Sequence, residues 1–469
     1  MRRRTWATVA AAFGLGALAP GEARAVIGGN DLGINVHVPS NELLDATKTL
    51  GVGWIRVDGD WLAMNPASGR FDYAAVDRVV DQANARGLKV YLTLGYTPAW
   101  VPRAPRSRAD TNPRNDEPAT TAEWTAFVRA AVAHYRPKGV RHFGIWNEPN
   151  LDQFWENAAG SGPYIDKILV PGAAAVRATC ADCFVVGPDL AHVGEYDVFL
   201  RPVVQRARGS IDILAHHIYS GWPETGTTVL DGDNFLNALE KRRFSFTRIS
   251  LRELLDEERY TGEVWITETG YQAKQIGNAG DEGKQATYVR RVMEEQLRRP
   301  WWTHTFFYEI LDCKPDQADC PIDGFGLLRA NRTAPPARTF PADYRQKPAF
   351  TAIQQFIAAN PGIVAGAPPD AGAPDGGRDA STPDGSATPD AASPPPPTPT
   401  PTSTAEPPVT PPGAPPGASG ANGAEPTGPS ADAGGCTVGA PGGPASALAV
   451  LATALAAAVA RRVRRRARP

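Results

Sequence analysis

The sequence predicts an α/β fold of eight consecutive strand–helix units, and three observations lead to that prediction. Eight short apolar segments typical of strands recur along the first three quarters of the chain. Segments with helical periodicity lie between them, such as FDYAAVDRVVDQANARG and TAEWTAFVRAAVAHYRPKG. No glycine-rich phosphate fingerprint follows the first strand, which argues against a doubly wound open sheet. Because eight parallel strands close a (β/α)8 TIM barrel, that barrel is the predicted architecture.

The predicted strands alternate with helices throughout residues 26–360, a region long enough for such a barrel with insertions. They are GINVH (33–37), WIRVDGDW (54–61), KVYLTLGY (89–96), HFGIWNE (142–148), CFVVGPDL (183–190), DILAHHIY (212–219), VWITETGY (264–271) and THTFFYEILD (303–312). The two helical segments quoted above end in Gly87 and Gly139, as helix C-termini often do.

Composition and charge limit the classes of protein to which this chain could belong. The 469-residue chain is 42% hydrophobic, which is enough for a sizeable core. Its formal net charge is -2, so the overall charge gives no indication of a nucleic-acid partner. Both ends of the chain are basic, however, and each end has the pattern of a targeting segment.

The N-terminus, residues 1–25, is predicted to be a secretory signal peptide. An arginine cluster, an apolar stretch and the cleavage-type sequence Ala23-Arg24-Ala25 follow one another there. A short buried helix is the alternative interpretation, and the arginines also fit a twin-arginine export signal. We therefore expect an exported protein.

The C-terminal part is predicted to be a linker followed by an anchor. Residues 361–435 are rich in proline, alanine, glycine, serine and threonine, so they cannot bury enough apolar surface to fold. In residues 436–469 an apolar run (444–460) precedes an arginine cluster. This run is slightly shorter than the roughly 20 residues of a spanning helix. It could still span a membrane with the arginines on the cytoplasmic side.

The anchor segment also resembles a known sorting signal. Its Cys436, small residues, short apolar helix and arginine tail are similar to the C-terminal sorting signal of myxobacterial surface proteins. That resemblance implies processing by a sorting protease, lipid attachment at Cys436, and a globular part held at the cell surface or outer membrane. An ordinary C-terminal membrane anchor is the alternative.

The other four cysteines form two local pairs, Cys180 with Cys183 and Cys313 with Cys320. In an exported protein this proximity predicts two local disulfides. A zinc site is the alternative, because C-x-x-C is also a zinc-ligand spacing. The second pair lacks that spacing and histidines are scarce nearby, so disulfides are favoured and no metal is predicted.

Chemistry is expected at the C-terminal ends of the strands, where this fold carries its active sites. Glu148 at the end of the fourth strand and Glu268 in the seventh stand out. Three strand–helix units separate them, so we expect them to face each other across the barrel mouth. Two opposed carboxylates suit glycoside hydrolysis, in which one is protonated and the other is ionised. A structural ion pair or a surface carboxylate is the alternative for each.

The segments WNEP (146–149) and TETGY (267–271) resemble those of retaining (β/α)8 glycoside hydrolases with catalytic glutamates on strands four and seven. Families 39 and 5 look nearest, and the resemblance covers about residues 26–360. It implies that Glu148 is the general acid/base and that Glu268 is the nucleophile. It also implies that their carboxyl groups lie only about 5–5.5 Å apart.

The same resemblance assigns roles to neighbouring residues. It implies that Asn147 bonds the sugar 2-hydroxyl and that His217 lines the site. Arg56 and Tyr219 are implied as groups that hydrogen-bond the nucleophile and keep it ionised. From the residues alone, Arg56 could be a structural ion-pair partner and His217 a satisfied core histidine. Asp58 alternates with Arg56 along the strand, so we expect it to orient Arg56, with a sugar contact as the alternative.

Four further residues lie near strand ends. Trp155 and Trp222 are candidates for sugar-stacking subsites, with core or loop packing as the alternative. Glu309 is a candidate for binding a hydroxyl group. His216 is expected to point away from the site, because its neighbour in the strand, His217, points into it.

The predicted function is a retaining glycoside hydrolase. It would cleave O-glycosidic bonds, with β bonds favoured, in a polysaccharide or oligosaccharide by double displacement. Two carboxylates and water are sufficient for this reaction, so no cofactor is predicted. The alternative class is a non-catalytic carbohydrate-binding or adhesion protein on an inactive barrel, since a fold alone does not determine function. Transglycosylation is an alternative within the enzyme class.

Overall fold

The computed structural model describes residues 31–105, 112–158, 160–193, 195–219, 232–240, 249–273, 281–312, 324–331 and 339–361. The predicted signal peptide, the linker from residue 362 onward and the anchor segment lie outside these residues, as do Trp222, Cys313, Cys320 and Cys436. Their assignments stay predictions. Within the described ranges, no helix combines the length and the apolar character that crossing a membrane requires.

Eight parallel strands form a closed barrel, in which each strand pairs with the next and the eighth pairs with the first. They are β1 (Leu32–Asn35), β2 (Trp54–Asp60), β3 (Lys89–Gly95), β4 (His142–Ile145), β5 (Phe184–Ala191), β6 (Ile213–His217), β7 (Glu263–Thr269) and β8 (Trp302–Phe307). The predicted TIM barrel is confirmed, and the rival open sheet is wrong. A small antiparallel pair follows the barrel, β9 (Leu328–Ala330) with β10 (Tyr344–Gln346).

Helices connect the strands and cover the barrel. They are α1 (Asn41–Leu50), α2 (Trp61–Met64), α3 (Ala74–Ala85), α4 (Ala122–Tyr135), α5 (Gly162–Tyr164), α6 (Val170–Thr179), α7 (Tyr196–Ala207), α8 (Gly232–Leu239), α9 (Leu251–Glu257), α10 (Glu282–Leu297) and α11 (Pro348–Ala359). Gly87, beyond α3, has a φ of 68°, the left-handed conformation that glycine adopts at helix ends. A turn connects α4 to Gly139, whose φ is 91°.

Apolar side chains fill both sides of the barrel wall. One large cluster lies between the strands and the surrounding helices. A second cluster fills the barrel interior and consists of Trp54, Tyr91, Val186, Ile213, Ala215, Trp265 and Phe306. Strands buried on both faces have continuous apolar sequences, which explains why the eight segments are recognisable in the sequence. The packed interior leaves the carboxyl ends of the strands as the open end for polar residues.

Cys180 and Cys183 form a disulfide, which confirms the first predicted pair. The bond joins the residue after α6 to the residue before β5. Because the two sulfur atoms are bonded to each other, they are not thiolate ligands for zinc.

His142 lies at the N-terminal end of the barrel and is enclosed by aromatic rings. Its imidazole stacks on Phe184 and Trp265, with ring centroids 4.9 and 5.2 Å away. Burial, together with the nearby His304, lowers the pKa of His142 to about 3. The ring is therefore neutral in the folded protein at every pH above that value.

We expect His142→Phe to reduce the acid sensitivity of the fold. Between pH 6.5, the ordinary pKa of an unfolded histidine, and about 3, the unfolded chain binds a proton that folded His142 does not. The contribution of neutral His142 to the free energy of unfolding is therefore fully present above pH 6.5 and is lost as the pH falls toward about 3. At pH 4.5 the variant should gain about 2–3 kcal/mol over the wild type relative to the difference at pH 7.5, measured by urea unfolding. An equal difference at both pH values would contradict this assignment.

Candidate active site

The backbone turns sharply after β4 and places Glu148 at the mouth of the barrel. The predicted fourth strand extends to Glu148, but β4 ends at Ile145. Trp146 and Glu148 have φ values of 74° and 44°, in a left-handed region that a strand does not adopt. The amide of Glu148 donates to the carbonyl of Asp189 at 2.9 Å, which fixes this turn against β5.

Glu148 and Glu268 lie close together in this mouth. Glu268 is on β7, and both residues are buried, with 9% and 8% of their surface exposed. A carboxylate oxygen of Glu148, one of Glu268 and a nitrogen of His217 all lie within 4.8 Å of one another. The barrel thus brings together two carboxyl groups that are distant in the sequence.

Both oxygens of Glu268 accept a hydrogen bond. Arg56 Nη1 donates to Oε1 at 2.6 Å, and the hydroxyl of Tyr219 donates to Oε2 at 2.7 Å. The Tyr219 ring is itself held by edge contacts with Tyr308 and Phe325, at centroid distances of 6.2 and 5.6 Å. Arg56 and Tyr219 thus hold both oxygens of Glu268 in place, and the bond from the charged guanidinium is of the strong, charge-assisted kind.

The guanidinium of Arg56, on β2, connects to β1, to β7 and to the turn after β4. Besides Glu268, its guanidinium donates to Asn35 Oδ1 at 3.0 Å and to Asn147 Oδ1 at 2.7 Å. Asn35 in turn donates to the carbonyls of Thr267 and Phe307. The pKa of Arg56 is raised well above its usual value, because the charges of Asp189 and Glu268 outweigh the opposing effect of burial. Arg56 is therefore a permanent buried cation between the two sides of the site.

His217 lies between three carboxylates. Its Nδ1 is 2.8 Å from Glu148 Oε1 and 3.5 Å from Glu268 Oε2, and its Nε2 is 3.3 Å from Asp189 Oδ1. Burial favours the neutral ring, but Glu268, Asp189 and Glu148 outweigh burial and raise the pKa of His217 to about 9. His217 is thus an imidazolium at neutral pH and donates from both nitrogens. Glu148, His217 and Glu268 are close enough to one another to surround a metal ion, but both oxygens of Glu268 already accept hydrogen bonds, from Arg56 and Tyr219.

The pKa of Glu148 is raised above its ordinary value. Burial is the main cause, and the charge of Glu268 adds to it, while His217 and Arg56 act in the opposite direction. Burial thus makes Glu148 hold its proton more readily than a carboxyl group in water, while Glu268 beside it accepts hydrogen bonds from Arg56 and Tyr219. Such a pair of carboxyl groups in unlike surroundings is suited to acid–base work.

Asp189 is a member of the site that sequence reasoning missed. It is fully buried on β5 and accepts hydrogen bonds from the hydroxyls of Tyr91 and Thr267. Arg56 and His217 outweigh the effect of burial and lower its pKa. The signal was present in the sequence, since Asp189 is the acidic residue near the end of the apolar segment CFVVGPDL.

A second series of polar side chains in contact with one another flanks the site beside β1, β2 and β8. Asp58 was expected to orient Arg56, but its Oδ2 is 2.8 Å from His37 Nδ1 instead. His37 Nε2 lies 3.2 Å from Glu309 Oε2. Burial lowers the pKa of His37, but Asp58 and Glu309 outweigh burial and raise it overall. The expectation for Asp58 fails because His37, brought close by the pairing of β1 with β2, competes for its carboxylate.

The expectation for His216 is confirmed, whereas the one for Trp155 is wrong. His216 points away from the site as expected, and its Nε2 lies 2.9 Å from His192 Nδ1. Trp155 is fully buried and packs edge-on against Trp146 and close to Tyr164. Its ring presents no face to a sugar, so its interpretation as a stacking subsite is corrected to core packing.

Comparisons with known proteins agree with this architecture. Residues 24–306, more than half of the chain, match the family model "Cellulase (glycosyl hydrolase family 5)". Among solved structures, a family 39 β-xylosidase from Caulobacter crescentus superimposes with a TM-score of 0.51 at 20% identity. That similarity covers 72% of this chain and 73% of the other, and it shows the shared fold.

Two curated relatives are also similar. A β-xylosidase of Caldicellulosiruptor saccharolyticus is 23% identical over 280 residues, which are 57% of this chain and 55% of that protein. A β-xylosidase of Geobacillus stearothermophilus is 24% identical over 277 residues, 55% of this chain and 52% of the relative. The chain thus spans about half the length of the curated relatives it matches. With its closed eight-stranded barrel and its match over residues 24–306, this chain belongs to the cellulase family, glycosyl hydrolase family 5.

Proposed function

We propose that this protein hydrolyses β-xylosidic bonds with retention of configuration, using Glu148 as general acid/base and Glu268 as nucleophile. The observation that carries the proposal is the approach of the two carboxylates to within 4.8 Å between oxygen atoms. Retaining enzymes need carboxyl groups about 5–5.5 Å apart, whereas inverting enzymes leave about 6.5–9.5 Å for a water molecule. The names of the two similar β-xylosidases support the choice of β-xylosides as the substrate class.

The reaction proceeds in two balanced steps. Glu268 attacks the anomeric carbon while Glu148 donates its proton to the departing glycosidic oxygen, which leaves as an alcohol. Water then attacks the glycosyl–Glu268 ester, and Glu148 takes the proton of that water as the ester bond breaks. Arg56 and Tyr219 stabilise the carboxylate of Glu268 before attack and after release.

The contacts of Glu148 and Asn147 suit these roles. His217 occupies Oε1 of Glu148, so the catalytic proton resides on the other oxygen, Oε2. Arginine has only donors, so Asn147 must turn Oδ1 toward Arg56, and its Nδ2 donor is the end available to a sugar hydroxyl. That hydrogen bond would strengthen in the transition state.

The alternative of a non-catalytic carbohydrate-binding protein is not favoured. An inactive barrel has no need to keep two glutamates together with Arg56 and Tyr219 in contact with one of them. Transfer of the sugar to another hydroxyl instead of water remains an outcome of the same covalent intermediate. Product analysis with an added alcohol distinguishes the two reactions.

Glu148→Ala tests the acid role. We expect kcat/KM for phenyl β-xyloside to fall by roughly 10²–10⁴-fold, the usual contribution of general acid catalysis. For 2,4-dinitrophenyl β-xyloside it should change little, because that leaving group departs without a proton. Added azide, which needs no base, should give a β-glycosyl azide and restore turnover. Glu257→Ala, on the surface of α9, is the control.

Equal losses with both aryl xylosides, or an azide product of inverted configuration, would contradict the assignment of Glu148. Absence of turnover on β-xylosides, with hydrolysis of another β-glycoside by the same glutamates, would instead change only the sugar. A panel of aryl β-glycosides therefore accompanies the two xylosides.

We further propose that the barrel is exported and held at the cell surface by the segment that begins at Cys436. The predicted signal peptide and the sorting-signal pattern support this location. In fractionated cells, the wild-type protein should be recovered with membranes, and Cys436→Ser should be released into the medium. Retention of Cys436→Ser with membranes would indicate an ordinary C-terminal anchor.

A further inference from the structure

Asp189 is a buried carboxylate that the proposed reaction does not use. Its side chain has no exposed surface, and it is surrounded by three hydrogen-bond donors and by the charge of Arg56. His217 Nε2 is 3.3 Å from Oδ1 and Arg56 Nη2 is 3.9 Å away, while the hydroxyls of Thr267 and Tyr91 donate to Oδ1 and Oδ2. Desolvating an ion of this kind costs several kcal/mol, so a full set of donors is what allows the anion to persist.

The barrel makes room for this arrangement. A Cβ atom at Gly144 on β4 would lie 2.6 Å from the hydroxyl of Tyr91, too close for any other residue. Glycine at this position therefore lets the Tyr91 hydroxyl reach Asp189 across the barrel interior. The anion is built into the barrel wall by several strands and is not an incidental neighbour of the site.

Asp189 is connected to Glu148 by two routes. Its carbonyl accepts the Glu148 amide at 2.9 Å, which holds the backbone turn after β4. Its carboxylate faces Nε2 of His217, whose Nδ1 is 2.8 Å from Glu148 Oε1. A carboxylate on one ring nitrogen fixes a proton there and sets the ring orientation, which determines what the other nitrogen does.

We infer that Asp189 is a positioning residue for the general acid: it holds the His217 ring so that Nδ1 anchors Oε1 of Glu148, which leaves Oε2 to carry the catalytic proton toward the leaving group. The inference rests on the roles proposed for Glu148 and Glu268. Asp189 touches no substrate, because it has no exposed surface. The high pKa of His217 agrees with this arrangement.

A residue that acts through the acid has a distinctive kinetic effect. Misplacing the proton of Glu148 slows the departure of leaving groups that need protonation and spares those that do not. A loss of fold stability alone would reduce activity toward both kinds of substrate by the same factor. A displaced Arg56, and through it Glu268, would also slow both substrates equally, since both are attacked by the nucleophile.

The experiment compares Asp189→Asn with the full-length wild type, using phenyl and 2,4-dinitrophenyl β-xylosides. Asparagine keeps the volume but removes the charge. We expect kcat/KM for the phenyl substrate to fall by roughly 10- to 100-fold, part of the 10²–10⁴-fold that an acid supplies, and less than about threefold for the dinitrophenyl substrate. Asp212→Asn, which lies before β6 at the opposite end of the barrel and accepts from Val185, is the matched control and should change neither value.

Tyr91→Phe is the second variant, and it tests the positioning role of Asp189 if Asp189→Asn does not fold. It removes one donor of Asp189 and keeps the ring in the core, so a smaller selective loss with the phenyl substrate is expected. Equal losses with both substrates, or no loss, would overturn the inference. Glu148→Ala is measured in parallel: if it lacks the selective loss, the proposed function has failed, and this outcome is distinct from failure of Asp189 alone.

Discussion

Glu268→Gln is expected to lower kcat/KM for aryl β-xylosides by roughly 10⁴-fold or more, the scale on which removal of a covalent nucleophile acts. Glutamine keeps the shape of the side chain and an acceptor for Tyr219, so the barrel should remain folded. Its amide, however, cannot form the glycosyl ester, and it loses the ion pair with Arg56 at 2.6 Å. The loss should be equally severe with phenyl and 2,4-dinitrophenyl leaving groups, unlike the loss in Glu148→Ala.

Covalent labelling gives an independent check of the same residue. A 2-deoxy-2-fluoro xyloside with a good leaving group should inactivate the wild type and add one sugar to the peptide that contains Glu268. Glu268→Gln should not be labelled. A label on another carboxylate would show that the nucleophile is misassigned, and hydrolysis without any labelled species would favour an inverting reaction.

Arg56→Met is expected to affect both stability and activity. The change leaves Glu268 and Asp189 without their buried cation, and breaking such a pair from one side costs about 3–5 kcal/mol of unfolding free energy. Loss of a charge-assisted hydrogen bond to Glu268 removes about 1.5–3 kcal/mol of stabilisation, or roughly 10- to 100-fold in kcat/KM per folded molecule. Urea unfolding and steady-state kinetics measure the two effects separately.

Arg86→Gln is the matched control for Arg56. Arg86 pairs with Asp45 at 2.7 Å on the surface, where Asp45 is about half exposed. Exposed pairs of this kind contribute about 0.2–1 kcal/mol, so the control should lose little stability and no activity. If Arg56→Met were as mild as Arg86→Gln, the guanidinium would be a dispensable structural partner.

Much of the fold could be predicted from local patterns. All eight strands and the two clearest helices lie where apolar runs and 3.6-residue periodicity indicate, because local backbone geometry repeats on that scale. The fourth strand was predicted too long, since a sequence of apolar and polar letters does not reveal the positive φ values of Trp146 and Glu148. The disulfide between Cys180 and Cys183 was predictable because the two residues are neighbours in the chain.

The candidate site was only partly predictable. Their positions at the ends of predicted strands identified Glu148 and Glu268, and the resemblance of two short motifs implied their individual roles and the residues around them. Asp189 stands near the end of an apolar segment, which marks a possible site position, but its role could not be predicted because its donors lie on other strands. Trp155 was misjudged because its position in a loop does not reveal that Trp146 and Tyr164 enclose it.

The sequence by itself determined the number and order of strands, the two glutamates at strand ends and the targeting patterns at both termini. These properties depend on residues that are neighbours in the chain. Only the tertiary structure decided which charges meet: that Arg56 pairs with Glu268, that His37 takes Asp58, and that His217 lies between Glu148 and Asp189. The reason is physical, because the pairing of parallel strands brings together residues far apart in sequence, and burial then determines which of them carry charge.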